Sequence, residues 1–233
     1  MRKFKFVDNL KVSVLFFFLL ISYSAFPQDW VQLGSDIDGE ISGDNSGQSV
    51  SISSDGSIVA IGAINNDGNG SNSGHVRVYE WNGSAWLQKG SDIDGEISGD
   101  NSGQSVSISS DGSIVAIGAI NNDGNGDNSG HVRVYEWNGS AWLQKGSDID
   151  GEASGDQSGQ SVSISSDGSI VAIGAINNDG NGDNSGHVRV YEWNGLAWNK
   201  KGLDINGEAP GDQSGQSVSI SSDGSIVAIG ALN

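Results

Sequence analysis

The run SGQSVSISSDGSIVAIGA occupies residues 46–63, and the same letters return at residues 102–119, 158–175 and 214–231. Tryptophans keep the same 56-residue spacing, at Trp30, Trp86, Trp142 and Trp198. A repeat of this length is one supersecondary unit, and such units bury their apolar residues against their neighbours. We therefore predict a tandem array after residue 28, with copies near residues 30–85, 86–141, 142–197 and, in part, 198–233.

Each copy is predicted to form two β-hairpins. In the first, Val50 and Ile52 alternate with serines, the turn Ser54-Asp55-Gly56 follows, and residues 58–63 are apolar. In the second, residues 75–81 alternate again and lead into an Asn-Gly turn and a short returning strand. No segment after the N-terminal region has apolar residues at helical spacing. The predicted fold is therefore all-β, a β-propeller built from four-stranded antiparallel blades.

The number of predicted strands does not complete a whole number of blades. A strand at Trp30, three full sets of four and a last hairpin ending at Ala231 give about 15 strands, or about 3.75 blades. Three explanations are open: a fragment of a larger propeller, a four-bladed ring closed by the Trp30 strand, or assembly with another chain. We expect the first. The number of blades in the intact protein and the oligomeric state stay open.

The first 28 residues have the order of a secretory signal peptide. Basic residues precede an apolar run at residues 12–21, and small residues follow it. No second apolar stretch follows that could span a membrane, so we expect cleavage between Ser24 and Gln28 and a secreted or cell-surface protein. A signal anchor is the alternative.

Composition excludes several classes of partner and site. The formal net charge is −18, which repels nucleic acid and anionic lipid. The chain has no cysteine, so neither disulfides nor thiolate metal sites can stabilise it outside the cell. Packing and backbone pairing must do so instead.

Three segments of each copy resemble the FG-GAP repeat, which builds the β-propeller of integrin α chains and of many exported bacterial proteins. They are SGQSV at residues 46–50, IVAIGAI at residues 58–64 and GHVRVY at residues 74–79. The resemblance covers the chain after the signal and implies a propeller of the bacterial secreted or surface type. Two positions depart from the family pattern: Ser46 replaces the Phe of the family name, and Ile64 replaces the Pro.

The resemblance also implies where calcium would bind, and this chain departs from it there. Integrin-type blades hold calcium in an Asp-x-Asp-x-Asp-Gly-x-x-Asp loop between the first two strands, whereas this chain has only the turn Ser54-Asp55-Gly56. We interpret Asp55 as a turn-capping residue. The remaining candidate ligands lie in the loop between the second and third strands: Asp67, Asp123, Asn125, Asp127, Asp179, Asn181 and Asp183. A solvated acidic rim without metal is the alternative, and no cofactor is certain.

The two long loops of each repeat are expected on one face of the propeller, opposite both tight turns. This acidic face is the candidate binding surface for an extracellular protein or glycan. Its residues in the links between blades are Asp36, Asp38, Glu40, Asp44, Asp92, Asp94, Glu96, Asp100, Asp148, Asp150, Glu152 and Asp156.

Catalytic patterns are weak. Nearly identical copies repeat every acid, whereas an acid–base pair needs two carboxylates in unlike environments. His75, His131 and His187 are interpreted as half-exposed strand residues, a shared metal site being the less favoured alternative. The pair Trp81 and Trp86 is interpreted as cross-strand packing rather than a sugar platform.

We expect a non-enzymatic adhesion, recognition or structural module. The alternative is a propeller scaffold of an extracellular polysaccharide hydrolase or lyase.

Overall fold

A computed structural model describes residues 30–232, and the predicted signal peptide at residues 1–28 lies outside them. The described chain is all-β, with no helix among these residues. Three tandem antiparallel sheets form three blades, and a last hairpin begins a fourth. The predicted fold class and the two hairpins of each repeat are confirmed. No helix that is long and apolar enough to cross a membrane occurs in residues 30–232.

The strand bounds repeat from blade to blade. The first blade contains β1 Ser46–Ile52, β2 Ile58–Ala63, β3 His75–Trp81, β4 Trp86–Gln88 and β5 Ile93–Asp94. The second contains β6 Ser102–Ile108, β7 Ile114–Ala119, β8 His131–Trp137, β9 Trp142–Gln144 and β10 Ile149–Asp150. The third contains β11 Ser158–Ile164, β12 Ile170–Ala175, β13 His187–Trp193, β14 Trp198–Lys200 and β15 Ile205–Asn206. The last hairpin is β16 Ser217–Ile220 and β17 Val227–Gly230.

The outer strand of each blade is split in two, which the sequence pattern did not predict. In the first blade β4 pairs with the end of β3, at Trp81↔Trp86, and β5 pairs with its beginning, at His75↔Asp94. Both pieces are antiparallel to β3. The link between blades is therefore partly a strand, and this strand holds its acidic residues beside His75.

The predicted strand at Trp30 is wrong. Residues 30–33 carry no strand, and Trp30 is fully exposed. The physical reason is the missing neighbour: each later tryptophan strand pairs with the segment HVRVYEW directly before it, and residues 1–29 contain no such segment.

Serine side chains and a glycine join successive blades. The Ser51 hydroxyl accepts a hydrogen bond from the Ile108 amide at 3.0 Å, and the Ser49 hydroxyl donates to the Gly103 carbonyl at 2.7 Å. That carbonyl lies in a β-bulge, where the backbone of Gly103 has a φ of 91°. It approaches Gly62 so closely that a Cβ there would overlap it. The repeated serines are therefore inter-blade hydrogen-bonding residues as well as small ones.

The apolar core lies between the blades. One cluster joins Ala60 and Val78 of the first blade to Val115 and Ile117 of the second, and an equivalent cluster joins the second blade to the third. Each blade thus covers one face of the next, as predicted for units that cannot bury their apolar residues alone.

Burial at identical repeat positions differs along the chain. Val50 and Ile52 in the first blade are 65% and 59% exposed, whereas the equivalent Val106 and Ile108 in the second are 8% and 7% exposed. The difference arises because the first blade has no described blade packed on that face.

The tight turn at Asp55 caps the first hairpin, as interpreted. Its Oδ1 accepts hydrogen bonds from the Ser57 amide at 2.9 Å and from the Ser53 and Ser57 hydroxyls at 2.7 Å each. These bonds, the one from the Ser57 amide first, lower the pKa of Asp55 from 3.8 to about 2. The equivalent Asp223 has its pKa lowered to about 2, chiefly by the Ser221 hydroxyl.

These turns predict a specific loss of stability in acid. Because the folded pKa lies below the unfolded value of 3.8, the folded chain binds fewer protons than the unfolded chain between about pH 4 and pH 2. The turn carboxylates therefore stabilise the fold fully above about pH 4 and lose this contribution as the pH falls to about 2. Urea midpoints measured from pH 5 to pH 2.5 are expected to fall less steeply when Asp55, Asp111, Asp167 and Asp223 are all changed to Asn.

The matched control is the double variant Asp127→Asn and Asp183→Asn, which removes exposed carboxylates outside these turns. It is expected to keep the wild-type slope between pH 4 and pH 2.5. If the urea midpoints of the turn variant and the wild-type chain fall equally steeply with pH, the turn carboxylates do not cause the loss of stability in acid.

Candidate metal centre and acidic loop face

The loop between the second and third strands lies between two links. In the first blade, the Asn66 side-chain amide donates to Asp44 at 3.0 Å and to Glu40 at 3.2 Å, both in the preceding link. The Asn69 side-chain amide donates to the carbonyls of Gly95 and Glu96 in the following link, at 2.9 and 2.7 Å. The long loops therefore contact one another on one face, as the strand order predicts, and asparagine amides join them.

His75 lies beneath these loops and is the first residue of β3. It is 1% exposed, so the expectation of a half-exposed strand residue is wrong. Its Nδ1 lies 3.7 Å from Asp92 Oδ2 and 3.9 Å from Glu40 Oε2, and it has no hydrogen-bond partner. The loops cover the histidine because both links fold over the start of β3.

The arrangement recurs in the other blades. His131 Nδ1 lies 3.9 Å from Glu96 Oε2 and 4.0 Å from Asp148 Oδ2, and His187 Nδ1 lies 3.7 Å from Glu152 Oε2. Neither Nδ1 atom has a hydrogen-bond partner. In each blade one Glu, one His and one Asp place a ligand atom within 4.8 Å of the other two, so each cluster could hold a metal ion. The clusters are Glu40–His75–Asp92, Glu96–His131–Asp148 and Glu152–His187–Asp204.

In the first two clusters, the carboxylate oxygens that do not face the histidine have partners of their own. Glu40 Oε1 lies 3.8 Å from the Arg77 guanidinium, and Asp92 Oδ1 accepts a hydrogen bond from the Gln88 side chain at 2.5 Å. Arg133 and Gln144 make the equivalent contacts at 3.7 and 2.6 Å. These contacts orient the other oxygen of each carboxylate towards the imidazole.

The third cluster differs because its aspartate, Asp204, already forms ion pairs with a lysine and an arginine of the chain. Lys200 stands where the earlier copies have glutamine, and its ammonium lies 2.9 Å from Asp204 Oδ1. Arg189 donates to both Asp204 oxygens, at 2.8 Å from Nε and 3.5 Å from a terminal nitrogen, and it also pairs with Glu152. Although burial alone would raise it, the pKa of Asp204 is lowered by the hydrogen bonds from Lys200 and Arg189.

Burial sets the protonation of His131 and shifts the pKa of His187 in the same direction. It lowers the pKa of His131 from 6.5 to about 4, and it also lowers the pKa of His187. Burial likewise raises the pKa of Glu96. At neutral pH the imidazole of His131 is therefore neutral, with an unshared electron pair available for a metal ion or a proton donor.

The structure divides the predicted binding-face residues into two groups. Asp44, Asp100 and Asp156 are buried at 6%, 1% and 4% exposure, and each accepts a hydrogen bond from a backbone amide of its own link. They therefore support the face from within. Exposed carboxylates on the surface are Asp36, Asp38, Glu40, Asp94, Glu96, Asp150 and Glu152, while Asp92 and Asp148 are half-buried in the histidine clusters.

The predicted calcium ligands lie in the same loops. Asp67, Asp123 and Asp179 each accept a hydrogen bond from a backbone amide five residues on, at 2.8, 2.7 and 2.7 Å. The Asn125 and Asn181 side chains donate to carbonyls of the following link. Asp127 and Asp183 are exposed. Turn geometry thus accounts for several of these residues, and calcium binding stays a prediction.

The tryptophan pairs pack across strands and across blades. The Trp81 and Trp86 rings lie 5.5 Å apart at an interplanar angle of 57°. The equivalent Trp142 donates its indole N–H to the Lys89 carbonyl at 2.7 Å, and Trp137 lies under the Lys89 ammonium at 5.1 Å. These contacts favour the interpretation of the pair as packing, because they use the rings and the indole N–H within the fold.

Sequence reasoning missed the Glu–His–Asp clusters, although one signal was available. Each histidine lies between a glutamate and an aspartate at the same two spacings in all three copies. What the sequence did not show is the split outer strand, which pairs His75 with Asp94 and so places Asp92 beside the imidazole.

Tandem four-stranded antiparallel sheets packed through apolar faces define a repeat protein of the β-propeller type. Comparison with known families identifies the repeat: the FG-GAP repeat matches residues 37–79, 92–135 and 147–191, more than half of the chain. The chain therefore belongs to the FG-GAP repeat family, and the predicted resemblance is confirmed. No curated protein matched the chain.

Similarity to one solved structure supports the fold alone. The chain is similar to a Bacteroides uniformis protein that carries the provisional name 6-phosphogluconolactonase, with 12% identity, a TM-score of 0.52 and 78% of the chain covered. It also matches the Kuenenia stuttgartiensis hydrazine synthase, with 14% identity, a TM-score of 0.49 and 85% covered. The chain spans 46% and 44% of the lengths of these two proteins.

Proposed function

We propose that the chain is a non-enzymatic extracellular recognition module whose acidic loop face binds a protein or a glycan. Export rests on the predicted signal peptide and on the resemblance to exported FG-GAP proteins. The continuity of the loop face carries the proposal. Backbone bonds join the loops of successive blades, from the Asn101 amide to the Asn72 carbonyl at 3.1 Å and from the Gln157 amide to the Asn128 carbonyl at 3.2 Å.

Charge favours a partner with basic groups. The chain carries a net charge of −18, and the loops present exposed carboxylates in every blade. A surface with charges of one sign accelerates association with partners of opposite charge and disfavours partners of the same charge. We therefore expect a basic protein surface or a glycan with amino groups.

The recurrence of nearly identical loops supports binding rather than catalysis. A general acid and a general base need different pKa values at one site, which requires unlike environments. Repeated equivalent carboxylates instead suit a surface that makes the same contact several times, which raises avidity towards a repetitive partner.

A matched pair of charge variants tests the proposal. The face variant changes Asp67, Asp123 and Asp179 to Asn, which keeps the oxygen that accepts the loop hydrogen bond. The control changes Glu80, Glu136 and Glu192, exposed on the third strands, to Gln. Both remove three charges. On a glycan array with cationic, neutral and anionic polysaccharides and on a basic-peptide array, we expect at least a tenfold loss of affinity in the face variant alone.

Equal losses in the two variants would show a general charge effect and contradict a specific face. No retained ligand on either array would also contradict the proposal.

Calcium binding by the inner loops is a further part of the proposal. Asp123, Asn125 and Asp127 offer oxygens at alternate positions, the type of donor that calcium prefers. The first copy has Ser71 where the second has Asp127. Calorimetric titration with calcium should therefore give heat that the double variant Asp127→Ser and Asp183→Ser abolishes. No heat and no rise in melting temperature with the wild-type chain would refute calcium binding.

A further inference from the structure

We propose that Glu40–His75–Asp92 and Glu96–His131–Asp148 each bind one divalent transition-metal ion of the zinc type, through His Nδ1 and one oxygen of each carboxylate, and that Glu152–His187–Asp204 does not. Two ions per chain are therefore expected.

The unpartnered histidine nitrogen is the first observation. His75 and His131 are each 1% exposed, and their Nδ1 atoms have no hydrogen-bond partner. A buried polar atom without a partner costs free energy, which a bound ion or water relieves. The atoms facing it are carboxylate oxygens, which accept hydrogen bonds and cannot donate to Nδ1 in the tautomer that carries its proton on Nε2. A cation between the nitrogen and the oxygens satisfies all of them.

Ligand spacing is the second observation. The Nδ1 atom of His75 lies 3.7 and 3.9 Å from the two carboxylate oxygens. Ligand atoms that each lie about 2.1 Å from a tetrahedral or trigonal zinc ion are separated from one another by roughly 3.4 to 3.6 Å. The three ligand atoms lie within 4.8 Å of one another, so rotation of the glutamate and aspartate side chains would bring them to this spacing.

Orientation of the ligands is the third observation. In both clusters an arginine guanidinium lies within 3.8 Å of the outer glutamate oxygen, and a glutamine, Gln88 or Gln144, donates a hydrogen bond to the outer aspartate oxygen. Partners of this kind fix metal ligands in place and tune their affinity. An open cavity of about 370 Å³ lined by Glu96, Asp148 and neighbouring loop residues gives an ion access to the second cluster.

Donor type selects the metal. One imidazole nitrogen and two carboxylates suit zinc, with a fourth position left for water or a ligand. Calcium prefers six to eight oxygens and rarely accepts imidazole. The clusters therefore differ in chemistry from the calcium prediction for the inner loops.

The third cluster is an internal control. Lys200 and Arg189 place two cationic groups on Asp204, and Arg189 also pairs with Glu152. A metal ion would have to displace both, which lowers its affinity. At the position of the orienting glutamine, the first two copies have Gln88 and Gln144, whereas the third copy has Lys200.

The experiment is zinc titration of the full chain, purified without a histidine tag, by calorimetry and by metal analysis after desalting. We expect two ions for the wild-type chain and one for Gln144→Lys, which copies the third cluster at an exposed position and should not disturb folding. His131→Asn should also bind one ion. His187→Asn should still bind two.

Three results would overturn the proposal: no bound zinc, three bound ions, or a count that Gln144→Lys and His131→Asn leave unchanged. Displacement of zinc by an equal concentration of calcium would also overturn it, because it would show an all-oxygen site. Asp127→Ser with Asp183→Ser should leave the zinc count at two, so failure of the calcium prediction and failure of the zinc proposal can be told apart.

Discussion

Replacing Gly118 with alanine is expected to lower the free energy of unfolding by about 3 kcal/mol, the upper part of the usual range for overpacked sites. A Cβ at this position would overlap the Gly159 carbonyl oxygen of the next blade and lie 2.5 Å from the Ser105 hydroxyl. That carbonyl is fixed, because the same hydroxyl donates to it at 2.7 Å. The two blades would have to separate locally to admit one methyl group.

The chain supplies a matched control in Gly230, the same repeat position in the last hairpin. A Cβ there would meet only the Ser217 side chain at close range, since no blade follows among the described residues, and a hydroxyl can rotate away. Gly230→Ala is expected to cost less than about 1 kcal/mol. Urea or guanidinium unfolding of both variants measures the two losses of stability for comparison. Similar losses in the two would show that the strand, rather than the contact between blades, disfavours alanine.

Ile117→Ala is expected to destabilise the chain by about 2–5 kcal/mol, the range for truncation of a buried isoleucine. Ile117 is 1% exposed and lies in the cluster between the first and second blades. The truncation leaves a cavity that two packed sheets cannot close by small movements. Ile61→Ala, at the same position of the first blade, removes a half-buried side chain and is expected to cost less than half as much.

Denaturant midpoints and slopes for Ile61→Ala, Ile117→Ala and Ile173→Ala provide the test. Ile173 is 2% exposed and should behave like Ile117. If Ile61→Ala is as damaging as Ile117→Ala, the apolar face of the first blade is covered in solution. A second copy of the chain would then be the first cover to test, by sedimentation.

Much of the blade was predictable because its signals are local. The alternation around Val50 and Ile52 predicts a strand with one apolar face, and Asp55-Gly56 predicts the turn that the hydrogen bonds confirm. The strand predicted at Trp30 failed for a non-local reason: a strand needs a partner, and the segment that pairs with the other tryptophan strands does not precede it.

The candidate site was less predictable because its members are far apart in the chain. Glu40, His75 and Asp92 come from two links and a strand start. The pairing of β3 with β5 brings Asp92 to the histidine, and the preceding link brings Glu40 to it. The third cluster shows most clearly that identical repeat residues do not guarantee an identical site. His187 is equivalent to His75, yet Lys200 forms an ion pair with the aspartate of the His187 cluster.

The sequence by itself determined the strands of the two hairpins and their tight turns, because these signals lie within a few neighbouring positions, and it determined the repeat, because the same letters return every 56 residues. The tertiary structure alone decided which copies of a repeated residue are buried, since Ile61 and Ile117 differ only in whether a blade packs on them. It also decided that His75 is buried among carboxylates. Burial and electrostatic environment depend on neighbours in space, and identical repeats acquire different neighbours according to their place in the array.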